Sequence, residues 1–125
     1  MIALDASALL AFMFREPGHE HVAQYIDDCC LSTVNLSEVI ARFVRDGHDA
    51  QAVLWQITTT RIEIVPFSTP QAALTADLQP QTKPFGLSLA DRACLALALD
   101  RQIPALTADR VWQEVPVEIE IMTIR

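Results

Sequence analysis

Four short apolar runs punctuate a chain that is otherwise patterned for helix: residues 2–4, 31–34, 62–65 and 105–107. Three of them lead directly into helical patterns. Strands alternating with helices predict a parallel sheet covered on both faces, and ligands in such folds collect at the carboxyl ends of the strands. At 125 residues the chain has room for one domain, spanning residues 1–125.

The helices read from their spacing and stop signals. Residues 7–15 form one, stopped by Pro17-Gly18. Residues 19–28 carry Val22, Tyr25 and Ile26 at helical spacing. A helix beginning near Asn35 places Leu36, Val39, Ile40 and Phe43 on one face and ends at Gly47. Asp49 caps the next, which bears Val53, Ile57 and a packing Trp55. Thr69-Pro70 opens another, with proline at its first position, and Pro80 breaks it. Residues 79–87 carry two prolines and a glycine and read as a loop. Residues 88–100 form a helix apolar nearly all round, which belongs in a core. Residues 117–121 alternate Val-Glu-Ile-Glu-Ile and read as a strand with one wet face.

Four acids fall where strand ends meet helix starts. Asp5 closes the first apolar run, and Asp109 lies two residues past residues 105–107. Glu38, in Asn35-Leu-Ser-Glu38, and Asp91, in Ser88-Leu-Ala-Asp91, occupy first turns of helices. Each has a structural reading as a cap: Asn35-x-x-Glu38 matches a capping box, Ser88-x-x-Asp91 is its shorter relative, Asp5 precedes a helix, and Asp109 opens a turn. Together they have a chemical one. Carboxylates gathered at one end of a sheet hold hard divalent cations through oxygen, and such ions drive in-line attack on a phosphodiester. The two readings are compatible, because helix N-termini favour ionised carboxylates.

Other polar residues surround these acids. Ser7 and Thr107 place hydroxyls beside Asp5 and Asp109. Arg42 follows Glu38 by four residues and reads as its ion-pair partner. Arg92 and Arg110 directly follow two of the acids and are candidates to meet phosphate. Lys83 and Phe85, in the proline-rich stretch, are candidates to touch a nucleic-acid backbone and stack a base. Trp112 reads as a packing residue.

The net charge is −7, from 16 acids and 9 bases. That lacks the basic footprint of most nucleic-acid binders, although ions held by the four acids would offset part of it. Eight of the bases are Arg and one is Lys83, and Arg grips phosphate bidentately. Cys29, Cys30 and Cys94 show no metal-ligand spacing with the three histidines and read as buried, reduced thiols of a cytosolic protein. No apolar run is long enough to span a membrane.

The motifs in this order resemble the PIN-domain ribonucleases, most closely the VapC toxins of bacterial type II toxin–antitoxin pairs. Asp5-Ala-Ser7-Ala-Leu-Leu-Ala11 followed by Glu16-Pro-Gly18 is similar to the family's opening motif. Ser37-Glu38 resembles the second, Gly86-Leu-Ser-Leu-Ala-Asp91-Arg-Ala the third, and Leu106-Thr-Ala-Asp109-Arg-Val-Trp112 the fourth. The resemblance implies a three-layer α/β/α sandwich around a central parallel sheet. It implies an endoribonuclease dependent on Mg²⁺ or Mn²⁺, with Asp5, Glu38, Asp91 and Asp109 at the metal and Thr107 as a helper. It further implies an RNA substrate, a homodimer and a small cognate antitoxin as inhibitor. Two other readings stand beside it. One is a PIN-like module that binds RNA or protein without cutting. The other is a phosphatase of the haloacid dehalogenase type, which calls for Asp-x-Asp where this chain has Ser7 at the third position.

Overall fold

The computed structural model describes residues 1–125. Five parallel strands form one sheet: β1 (Ile2–Leu4), β2 (Cys29–Ser32), β3 (Glu63–Val65), β4 (Ala105–Thr107) and β5 (Ile121–Thr123). Their order is β3-β2-β1-β4-β5. The chain winds outward from β1 through β2 to β3, then returns to place β4 and β5 on the other side. The order therefore reverses between β1 and β4, and a crevice opens there at the carboxyl ends of the strands.

Seven helices cover the sheet: α1 (Ala6–Met13), α2 (His19–Ala23), α3 (Thr33–Arg45), α4 (Ala50–Thr58), α5 (Thr69–Asp77), α6 (Gln79–Thr82) and α7 (Leu89–Arg101). Strand side chains alternate between the two faces. Ile2, Leu4, Leu31 and Leu106 pack with Leu9 of α1, Val22 of α2, Val39 of α3 and Ile57 of α4. Ala3, Cys30 and Ala105 face the other way, against Cys94, Leu95, Leu97 and Ala98 of α7, with Trp112 fully buried beside them. The residues on this second face are small, so α7 approaches the sheet closely. The result is the expected α/β/α sandwich. Arg101, near the end of α7, locks onto β3 through two bonds to Glu63, at 2.8 and 2.7 Å. No helix is long and apolar enough to cross a membrane, and all three cysteines are free and buried.

Several local expectations are corrected. The second strand ends at Ser32, not Val34, because the Ser32 hydroxyl accepts from the Val34 N–H at 3.2 Å and starts α3 there. Asn35 is therefore inside α3 and caps nothing. Residues 79–87 are not open loop: α6 and a 3₁₀ turn (Lys83–Phe85) fill them. Both prolines sit in first-turn positions, where the missing N–H costs nothing. Residues 19–28 are helical only as far as Ala23. The last strand begins at Ile121, because only Ala105–Thr107 of β4 is available to pair, in the register Ala105↔Ile121. Trp55, expected to pack, is 72% exposed.

Candidate active site

Asp5 follows β1 and is only 4% exposed. Its side chain makes no cap bond to α1, so the capping reading fails for it. Instead Oδ2 accepts from the Ser7 hydroxyl at 2.5 Å and from the Thr107 hydroxyl at 3.0 Å. Each hydroxyl also accepts a backbone N–H from the segment after β4: Ala108 N–H to Ser7 at 3.0 Å, and Asp109 N–H to Thr107 at 3.1 Å. Ser7 and Thr107 thus latch the end of β4 to the acid at the end of β1. Both hydroxyls lie beside Asp5, and Thr107 also accepts from the Asp109 N–H.

Glu38 lies in the second turn of α3, exposed, and accepts from the Asn35 side-chain amide at 3.1 Å. Asp91 lies in the first turn of α7 in a complete capping box. Its carboxylate accepts from the Ser88 N–H at 2.9 Å, and its own N–H donates to the Ser88 hydroxyl at 3.1 Å. Asp5, Glu38 and Asp91 line one open cavity of about 530 Å³. Their proximity is electrostatic as well as spatial. Burial pushes the Asp5 carboxyl from the ordinary 3.8 up to about 6; the Ser7 and Thr107 hydrogen bonds oppose the rise, and the charges of Asp91 and Glu38 add to it. Glu38, exposed as a residue but with its carboxylate partly desolvated, is also raised, chiefly by that desolvation, against the Asn35 hydrogen bond and with help from Asp91.

Asp109 is not brought into this cavity. It is exposed, and its carboxylate caps the 3₁₀ turn Arg110–Glu114 through the Val111 N–H at 3.1 Å. Its tie to the other acids runs through its own N–H to Thr107.

Two arginines also line the cavity; sequence reasoning read Arg42 only as the ion-pair partner of Glu38 and did not single out Arg45. Arg42 and Arg45 line it together with Leu10 and Ala41. Arg42 does not pair with Glu38. It leans toward Asp46, Nε to Oδ2 at 3.4 Å, and lies over the Phe14 ring at 4.8 Å from the centroid. The signal was present in the spacing: residues four and seven beyond Glu38 share its helix face.

The donor set suits a hard divalent ion: three carboxylates, one at a strand end, one in the second turn of α3 and one in the first turn of α7, with mutual repulsion that a cation relieves. The side chains as they stand are not drawn in around one point, since no three acidic, histidine or cysteine groups are within reach of a single ion. The fit lies in the donors, not in a closed cage.

The family model described as PIN domain matches residues 2–118. The chain belongs to the PIN domain family. PIN domains are, as a family, nucleases. Solved structures of similar fold include a toxin–antitoxin complex from Klebsiella pneumoniae, with a TM-score of 0.80 at 17% identity, covering 100% of this chain and 98% of that one. DNA-bound VapBC from Salmonella typhimurium gives 0.73 at 19% identity, with both chains covered in full. FitAcB from Neisseria gonorrhoeae gives 0.71 at 21% identity, covering 99% and 98%. Comparison with curated protein sequences finds no match.

The remaining sequence candidates lie off the acidic cavity of this PIN domain. Arg92 directs Nη1 to the Thr75 carbonyl at 2.9 Å, joining α7 to α5. Arg110 donates to the Arg125 carbonyl at 2.8 Å. Lys83 is exposed on the 3₁₀ turn.

Proposed function

We propose that this PIN domain is the toxin of a toxin–antitoxin pair, an endoribonuclease that uses Mg²⁺ or Mn²⁺ to hydrolyse RNA phosphodiester bonds in the cytoplasm. The observation that carries the reading is the meeting of Asp5, Glu38 and Asp91 in one cavity that Arg42 and Arg45 also line. These three acids are the proposed metal ligands. Asp109 is the proposed fourth, and it serves only if its carboxylate leaves the Val111 N–H it caps and turns toward the cavity. Asp5, Glu38 and Asp91 would hold a divalent ion, whose chemistry there would be positive charge toward a phosphate and a lowered pKa for water. The chain's own residues do the rest. Ser7 and Thr107 fix the Asp5 carboxylate through Oδ2. Arg42 and Arg45 meet the phosphates of the incoming strand and so answer the objection raised by the net charge of −7.

The partner reading rests on a second surface. An apolar groove of about 570 Å³ runs between α3 and α4, lined by Leu36, Ile40, Val44 and Leu54. Several of the structural neighbours are toxin–antitoxin complexes. The proposed occupant is the apolar tail of a cognate antitoxin, with the toxin itself a homodimer. Ala41 and Arg45 line both the groove and the acidic cavity, so an occupant of one reaches the edge of the other.

The test is cleavage of total RNA by the purified chain with Mg²⁺, with Mn²⁺ and with EDTA. Metal-dependent cleavage that is lost in Asp91→Asn supports the reading. Equal cleavage in EDTA, or none with either metal, refutes it in favour of a non-catalytic module.

A further inference from the structure

Asn35 is fully buried, in the first turn of α3, with no exposed surface. Its Nδ2 makes two bonds, each 3.1 Å long: one to Glu38 Oε1 and one to the backbone carbonyl of Ala90, the residue before Asp91. Both partners accept and cannot donate in their ordinary states, so the amide must present its nitrogen to both. This leaves Asn35 Oδ1 buried with no partner. An orphaned buried acceptor is destabilising, because its lost hydration is not replaced. An apolar side chain of similar volume would avoid that cost, and helix packing alone would favour one.

We infer that Asn35 is a positioning residue: it ties Glu38 of α3 to the N-terminus of α7, and so sets the spacing of Glu38 against Asp91 across the cavity. The inference rests on the nuclease reading of that cavity. One nitrogen spans the two elements, and no other side chain bonds to Glu38. Arg42, the other candidate on α3, is turned toward Asp46. Without the amide, Glu38 keeps its place on the helix but loses the bond that orients its carboxylate. Hydrogen bonds that orient metal-binding carboxylates change metal affinity or activity by about 10- to 100-fold.

The test compares wild type, Asn35→Ala and Asn35→Leu in three measurements: Mn²⁺ affinity by titration calorimetry, melting temperature without metal, and kcat on RNA. Asn35→Leu fills the volume and removes the orphaned oxygen, so it keeps the fold available should Asn35→Ala fail to form it. The expected result is Mn²⁺ affinity at least tenfold weaker in each folded variant and a lower kcat, with Asn35→Leu melting within a few degrees of wild type. A packing role alone would move the melting temperature and leave Mn²⁺ affinity unchanged. Mn²⁺ binding by Asn35→Leu within twofold of wild type overturns the role and leaves the nuclease reading standing. Absence of Mn²⁺ binding by wild type overturns both.

Discussion

Asp5 is the residue on which the site's electrostatics concentrate. Its folded pKa of about 6 lies above the ordinary 3.8, so the folded state holds the proton more tightly than the unfolded chain. Stability of the metal-free protein therefore falls as pH rises from about 4 to about 6, and stays at the lower level above that. The full difference is about 3 kcal/mol. Asp5→Asn removes it. Without metal at pH 7 this variant should melt higher than wild type, and the gap should close by pH 4. A scan in which Asp5→Asn melts lower at pH 7 would show that the Ser7 and Thr107 bonds outweigh burial. Cleavage at low metal concentration should rise with pH around 6, as Asp5 gives up its proton. Asp91 carries the opposite expectation for stability, because its carboxylate completes a capping box. In the same cavity, Arg42→Ala and Arg45→Ala should each raise KM about five- to tenfold with little change in kcat, as loss of uniform binding predicts. Steady-state kinetics on a defined RNA checks this, with Lys83→Ala as the control off the cavity. A fall in kcat at unchanged KM would place these arginines at the chemistry instead.

Among the elements, α7 links packing to the site. Its middle is buried on all sides and its first turn delivers Asp91. Ser88→Ala breaks the capping box. It should cost about 1 kcal/mol of stability and reduce cleavage together with it, because the same bonds orient the Asp91 carboxylate. Denaturant unfolding and activity measured side by side test this coupling, and full activity in a destabilised variant would separate cap from site. The sequence announced α7 clearly: Ser88 three residues before an acid, then an apolar run, has few other solutions. It announced β1, β4 and Asp5 equally well, since a short apolar run closed by an acid reads as a strand end. What it hid were matters of register and direction. The alternation in residues 117–121 has the period of a strand, yet pairing is decided by the three residues that β4 offers, and these meet Ile121–Thr123. The spacing Asn35-x-x-Glu38 fits a cap, but Ser32 caps first, which frees Asn35 to turn inward. Arg42 has two acids in reach of a helical turn, and the one it leans toward was not legible from spacing. Asp109 looked equivalent to the other acids in sequence, and only the turn after β4 shows its carboxylate committed to Val111.

For the whole molecule, the acidic cavity and the apolar groove share an edge at Ala41 and Arg45. Val44, 47% exposed in the groove, tests the partner reading. Val44→Gln should weaken capture of a cognate antitoxin about tenfold, the effect of losing one buried aliphatic contact, while RNA cleavage by the free chain is unchanged. Binding by surface plasmon resonance and a parallel cleavage assay check both halves. Unaltered antitoxin affinity would move the docking surface elsewhere, with exposed Trp55 the next residue to substitute. The strand order carries a last consequence, for the ribosome. Asp5 and Glu38 leave the exit tunnel early, but Asp91, which completes the cavity's acids, and the Thr107 hydroxyl that holds Asp5 come from the final third of the chain. At translation rates of about 5–20 residues per second, Glu38 precedes Thr107 by about 3 to 14 seconds. Throughout that interval the growing chain carries its acids as separate charges on an unfinished sheet. If the proposed ribonuclease activity holds, a chain built in this order is inactive toward the messenger it is being read from until synthesis is nearly over.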